Sequence, residues 1–125
     1  MSLRVLVVDD SPAMRVLLKK ILGLSGLPIE NILDASDGVE GLTRLRSHPI
    51  NLILTDINMP NMDGEEFVRQ VKADKNLREI PVIMITTDNS TARVLRLRQL
   101  GAQGYLCKPF TPAMVKEKVL ALMSA

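Results

Sequence analysis

Short apolar runs and longer amphipathic stretches alternate along the whole chain. The runs cover residues 4–8, 32–35, 52–55, 82–86 and 105–107 and are rich in Val, Ile and Leu. Near-continuous apolar runs of this length predict strands buried on both faces, as in a parallel sheet. After the first run, Met14, Leu17, Leu18, Ile21 and Leu22 recur at three- and four-residue spacing, which places them on one helical face. Ser11 before Pro12 supplies an N-cap and a proline at the first helical position, so this helix is predicted to start there. Thr111 before Pro112 repeats the device for the last helix, whose apolar face runs Val115, Val119, Leu122 and Met123. Middle helices are predicted over 38–46, 64–73 and 91–100. Five rounds of strand then helix, joined by right-handed crossovers, predict an α/β domain. Its core is a doubly wound five-stranded parallel sheet with five helices, one domain over 1–125.

Composition acts mostly by exclusion. One cysteine, Cys107, cannot form an internal disulfide, and with one histidine, His48, it cannot build a Cys/His zinc site. The apolar runs fall far short of the ~20 residues needed to cross a bilayer. The amino terminus reaches Asp9 and Asp10 too soon for a signal peptide. A cytoplasmic domain without membrane insertion is expected. The net charge is only +2 and aromatic residues make up 2% of the chain, so a nucleic-acid footprint is not expected. Arg93, Arg96 and Arg98 form the one basic cluster, open to reading as a solvated helix face or as a partner surface. His48 reads as an exposed, inert loop residue and Cys107 as a core cysteine.

Candidate chemistry lies at the carboxyl ends of the strands, where such sheets bind ligands. There the chain delivers Asp9 and Asp10, then Asp56, then Thr86 and Thr87, and finally Lys108. Two carboxylates ~5 Å apart repel by about 3 kcal/mol at an effective dielectric of 20. One lysine cannot balance three of them, whereas a hard divalent cation can. Oxygen-only ligands favour Mg²⁺, with Mn²⁺ as a substitute. Single acids at strand ends also serve to cap helices, a plainer reading that the whole constellation disfavours.

Asp56-Ile57-Asn58 narrows the reaction. A carboxylate beside a cation is a nucleophile toward phosphorus. Cleaving an unactivated ester also requires an acid for the departing alkoxide, and the Asn58 carboxamide cannot supply a proton. The donor must bring its own leaving group, as a phosphoimidazole or an acyl phosphate does. A phosphoryl acceptor is therefore favoured over an ester phosphatase.

Over nearly its whole length the chain resembles the receiver domains of bacterial two-component response regulators. The residues that carry the likeness are Val7-Val8-Asp9-Asp10, Asp56 with Asn58-Met59-Pro60-Asn61-Met62-Asp63-Gly64, Pro81 to Thr86, and Gly104-Tyr105-Leu106-Cys107-Lys108-Pro109-Phe110. Those around Asn58 and Lys108 are most similar to the single-domain chemotaxis branch. The resemblance implies a flavodoxin-like strand order 2-1-3-4-5. It implies that Asp56 accepts a phosphoryl group from the phosphohistidine of a sensor histidine kinase. Mg²⁺ would be held by Asp10, Asp56 and the Asn58 carbonyl, with Asp9 acting through a water. Lys108, joined to Pro109 by a cis peptide, would contact the phosphoryl group and, at rest, the acceptor carboxylate. Asn58 and Thr87 would offer backbone contacts. Thr86 would donate its hydroxyl and Tyr105 would turn inward behind it, a bias worth about 1.5–3 kcal/mol. Side chains at Asn58 and Asp88 would tune the lifetime of the phosphorylated state, although Asp88 also reads as a cap for the fourth helix.

The resemblance further implies readout through the fourth helix, fifth strand and fifth helix, here including Arg93, Arg96, Tyr105 and Lys118. The target would be a flagellar switch protein or a phosphotransfer protein. Such a chain phosphorylates and dephosphorylates itself without turning over an external substrate. With no residues left for a DNA-binding domain, a monomer acting by protein contacts is expected. Ile57 departs from the tryptophan of the chemotaxis branch, and Ser11-Pro12 from its start of helix one. A phosphorelay intermediate, a receiver cut from a larger regulator and a phosphate-independent pseudo-receiver remain as alternatives.

Overall fold

Every apolar run becomes a strand, and every amphipathic stretch a helix. The computed structural model describes residues 2–123; Met1, Ser124 and Ala125, at the ends of the expected 1–125 domain, lie outside the described residues. In chain order the elements are β1 (Leu3–Val8), α1 (Pro12–Leu24), β2 (Ile29–Ala35), α2 (Gly38–Ser47), β3 (Leu52–Asp56), α3 (Gly64–Ala73), β4 (Val82–Thr86), α4 (Thr91–Leu100), β5 (Gly104–Cys107) and α5 (Pro112–Met123). The strands are parallel, in the order β2-β1-β3-β4-β5.

Strand alternation divides the core into two layers. Leu6, Val8, Ile53 and Met84 face Leu42, Phe67, Val68, Val71 and Leu97 of α2, α3 and α4. Val5, Val7, Leu54, Ile83 and Ile85 face Leu18, Leu22, Val115 and Val119 of α1 and α5. Fully burying such a side chain is worth about 1.5–3 kcal/mol, so either layer alone outweighs any single polar contact at the sheet edge. The N-caps act as predicted: Ser11 accepts the Met14 N–H at 3.2 Å, and Thr111 accepts that of Met114 at 3.2 Å.

Three local readings are corrected. β2 starts at Ile29, three residues before its apolar run, because an edge strand needs only one buried face. The β1–β2 register slips by one there: Leu3 pairs with Ile29 and Arg4 with Asn31. Leu17, placed by periodicity on the buried face of α1, is 45% exposed, since the stripe against the sheet is Leu18, Ile21 and Leu22. Cys107 is only half-buried and its thiol lies 3.6 Å from the Lys108 carbonyl, because β5 is the other edge.

Candidate functional site

β1 and β3 are neighbours, yet their onward connections lead in opposite directions across the sheet, to β2 and to β4. Asp9, Asp10 and Asp56 leave the sheet at that divide. One carboxylate oxygen from each lies within 4.8 Å of the other two. Asp9 is 2% exposed, Asp56 half-buried and Asp10 exposed. Asp9 Oδ1 accepts the Ser11 N–H at 2.9 Å, but Oδ2 is buried without a hydrogen-bond partner. Burial pushes the Asp9 carboxyl above its ordinary range. The Ser11 N–H opposes this, the Asp56 charge reinforces it, Lys108 opposes it, and Asp10 adds to the rise. Asp56 Oδ1 accepts the Ile57 N–H at 2.9 Å. An orphaned buried oxygen beside two further carboxylates, with no nitrogen or sulfur donor, fits a hard divalent cation such as Mg²⁺ or Mn²⁺.

Beside the acids lies a cavity of about 170 Å³ lined by Asp56, Asn58, Thr86, Thr87, Lys108 and Arg93, among others. Thr86, 5% exposed, has its hydroxyl committed to the next loop: Oγ1 donates to the Asp88 carbonyl at 3.2 Å and accepts the Asp88 N–H at 2.9 Å. Ser90, not Asp88, caps α4, accepting the Arg93 N–H at 3.2 Å, while Asp88 Oδ1 accepts the Ser90 N–H at 2.9 Å. Lys108 follows β5, and its link to Pro109 is cis. Among the described residues it forms no ion pair with Asp56, in contrast to the resting contact expected. Lys108 lines both this cavity and an apolar groove with Met14, Leu17, Ile21, Pro109 and Phe110, and its charge is felt by Asp9.

The loop that presents Asn58 is pinned by residues that periodicity does not flag. Asn61, at φ 65°, donates from Nδ2 to Asp37 Oδ2 at 2.7 Å, and Gly38 N–H donates to the Met62 carbonyl at 3.2 Å. Asp37 Oδ1 caps α2 by accepting the Glu40 N–H at 2.9 Å. These two bonds hold the Asp37 carboxyl below its ordinary range. The available signal was Asp37-Gly38 directly before an amphipathic stretch, an N-cap pattern. At the far end of the loop, Gly64 N–H donates to the Ile57 carbonyl at 2.7 Å, and a β-carbon at Gly64 would collide with the Asp56 carbonyl oxygen. Helix α3 is therefore pressed against the end of β3.

The expected partner surface divides in two. Arg93 and Arg96 both pair with Glu65 of α3, each at 3.1 Å; the Arg93 side chain is 31% exposed and that of Arg96 51%. Tyr105 is half-buried with Lys118 Nζ 5.3 Å from its ring centre. Both line a cavity of about 360 Å³ between β5 and α5, with Met114 and Glu117. No helix among the described residues is long and apolar enough to cross a membrane.

Comparison with known proteins agrees with this geometry. The family model of the response regulator receiver domain matches residues 5–120. The chain is 42% identical over 118 residues to the chemotaxis protein CheY1 of Helicobacter pylori strain J99, covering 94% of each. It superposes on the chemotaxis response regulator CheY4 of Vibrio cholerae with TM-score 0.79 at 33% identity, covering 99% of this chain and 98% of the other. The Mn²⁺-bound form of response regulator Rcp1 matches with TM-score 0.76 at 28% identity over 91% of this chain and 89% of the other.

Proposed function

The chain belongs to the response regulator receiver domain family, and from that premise we propose that it is a cytoplasmic, phosphorylation-activated switch of the chemotaxis type. The observation that carries this reading is the convergence of Asp9, Asp10 and Asp56 beside a cavity that Thr86 and Lys108 also line.

In the proposed reaction an Asp56 carboxylate oxygen attacks the phosphorus of a kinase phosphohistidine. A P–O bond forms, the P–N bond breaks, and its electron pair stays on the imidazole. Asp10, Asp56 and the Asn58 carbonyl would hold Mg²⁺, with Asp9 reaching it through a water. The bound cation supplies charge neutralisation for the incoming phosphoryl oxygens. The chain itself provides position and charge, since phosphoryl transfer leaves little covalent work to a protein. Lys108 would contact the phosphoryl oxygens, and Asn58 and Thr87, which line the same cavity, would offer backbone N–H groups to them. Hydrolysis of the acyl phosphate later resets the site.

Switching follows from the occupied state of the Thr86 hydroxyl. To bond the phosphoryl group it must leave the Asp88 backbone, freeing the β4–α4 loop, and Tyr105 turns into the space behind it. The α4–β5–α5 face then binds a target protein. Arg93 is tied to Glu65 and half-buried, so we assign that face to the 51%-exposed Arg96 side chain, Tyr105, Lys118 and the 53%-exposed Leu95.

The test is intact mass after incubation with acetyl phosphate, with and without Mg²⁺, on wild type and Asp56→Ala. One phosphoryl adduct that needs both Mg²⁺ and Asp56 is expected. A folded wild type that takes no adduct overturns the reading in favour of a pseudo-receiver.

A further inference from the structure

Arg93 belongs to two neighbourhoods at once. Its guanidinium lies 3.1 Å from Glu65 Oε2 and 3.8 Å from Asp88 Oδ2, and its side chain is 31% exposed. It also lines the 170 Å³ cavity together with Asp56, Thr86 and Lys108. Arg96 holds the other oxygen of Glu65, through Nε at 3.2 Å and a terminal nitrogen at 3.1 Å, but does not line that cavity. Glu65 reaches this position because Gly64 lets α3 start against the end of β3.

The two anions that hold Arg93 are unequal. Asp88 is bound chiefly by the Ser90 N–H and hydroxyl, with Arg93 a lesser influence on its lowered carboxyl. At 3.8 Å the Arg93–Asp88 contact is a loose one. The same Asp88 supplies the backbone groups that occupy the Thr86 hydroxyl. One loop thus detains both a hydroxyl and a cation at the cavity wall.

Phosphorylation replaces the single negative charge of Asp56 with about two on the phosphoryl oxygens. A divalent cation and Lys108 together offset the three carboxylates at rest, so that increment is left unbalanced. A guanidinium offers a fork of N–H donors matched to phosphate oxygens, on a stem long enough to cross a cavity of this size. We propose that Arg93 is a second phosphoryl-binding cation, held at the cavity wall by Glu65 and drawn to the phosphoryl group on Asp56. The inference rests on the receiver reading above. It turns Glu65 into a restraint: part of the affinity for the phosphoryl group goes into loosening the Glu65–Arg93 pair, which ties α3 to α4.

Arg93→Gln and Glu65→Gln break the same ion pair, so a merely structural pair predicts that both variants shift in one direction. The proposal predicts opposite directions. The probe is beryllofluoride with Mg²⁺, followed by the amide resonances of Thr86 and Asp88, alongside the rate of adduct formation from acetyl phosphate. Arg93→Gln should weaken beryllofluoride about tenfold, and Arg93→Lys should recover part of the loss. Glu65→Gln should tighten it about threefold, the double variant should match Arg93→Gln, and Arg96→Gln should stay within about twofold of wild type. Thermal melts and Mg²⁺ affinity confirm that each variant is folded with its acidic site intact. If Arg93→Gln matches a wild type that binds, or if both single variants move together, the inference fails and the receiver reading stands. A folded wild type that takes neither beryllofluoride nor phosphate overturns both.

Discussion

Asp9 and Asp37 are both buried aspartates that follow a strand and precede a helix, at 2% and 8% exposure. Asp37 uses both oxygens, one on the Glu40 N–H and one on Asn61 Nδ2. Asp9 uses one, on the Ser11 N–H, and leaves the other buried and alone beside two further carboxylates. The Asp37 carboxyl is held below the ordinary range by the Glu40 N–H and the Asn61 amide, and the Asp9 carboxyl is pushed above it by burial. Burial alone therefore says little about purpose. A buried acid with both oxygens bonded contributes to the fold, whereas one left short of partners beside like charges carries a cost that a cation would offset.

The sharpest way to break this contrast is Asp9→Asn. Losing a carboxylate from the set of three should weaken Mg²⁺ by about a hundredfold, roughly 2.7 kcal/mol. Without metal the same variant should be more stable than wild type by about 1 kcal/mol, since a desolvated charge beside like charges is gone. Equilibrium denaturation with and without Mg²⁺ reads both effects. A metal-free loss of stability would mean that Asp9 supports the fold as Asp37 does.

Asp37→Ala should behave in reverse. It removes an N-cap, typically about 1 kcal/mol, and leaves the Asn61 amide without its acceptor, about another 1 kcal/mol. The denaturant midpoint should fall by the equivalent of about 2 kcal/mol, while Mg²⁺ affinity stays within about fivefold. A hundredfold metal loss would show instead that the Asn61–Asp37 bond holds the Asn58 loop in its cation-binding form.

These two residues also mark how far the sequence reaches. The five strands, the caps at Ser11 and Thr111 and the acids at the strand ends were legible because each is a local pattern with one physical cause. The start of β2 was not, because an edge strand with polar Glu30 and Asn31 lacks the apolar run of a central one. Leu17 misled because periodicity finds a helical stripe without saying how wide the sheet beneath it is. Glu65 left no local trace: an acid in the first turn of a helix already has a reason in the helix dipole, and its partners lie 28 and 31 residues away. The pairing of Arg93 and Arg96 was hidden for the same reason, since the acid that both of them bond is distant in sequence. Local pattern locates the acidic site, and tertiary pairing decides which neighbouring cations are free.

The smallest expected effect, and the one that separates Asp9 from Asp37 without metal, is the pH dependence of stability. Asp37 has its folded value lowered, so its contribution is present above the ordinary 3.8 and is lost as pH falls through the lower folded value. Asp9 has its folded value raised, so metal-free stability is favoured below 3.8 and declines as pH rises from there through the raised value. Other paired acids, such as Asp34 with Lys19 and Arg15, are common to all variants and cancel in difference curves. Stability of Asp9→Asn minus wild type should thus climb above pH 3.8 and then level off. Wild type minus Asp37→Asn should hold steady above 3.8 and shrink below it. Saturating Mg²⁺ should reverse the sign of the Asp9→Asn difference at neutral pH, because a ligand that binds the folded carboxylates stabilises wild type in proportion to its affinity. Parallel difference curves for the two variants would erase the distinction between an acid that completes the fold and one that awaits a cation.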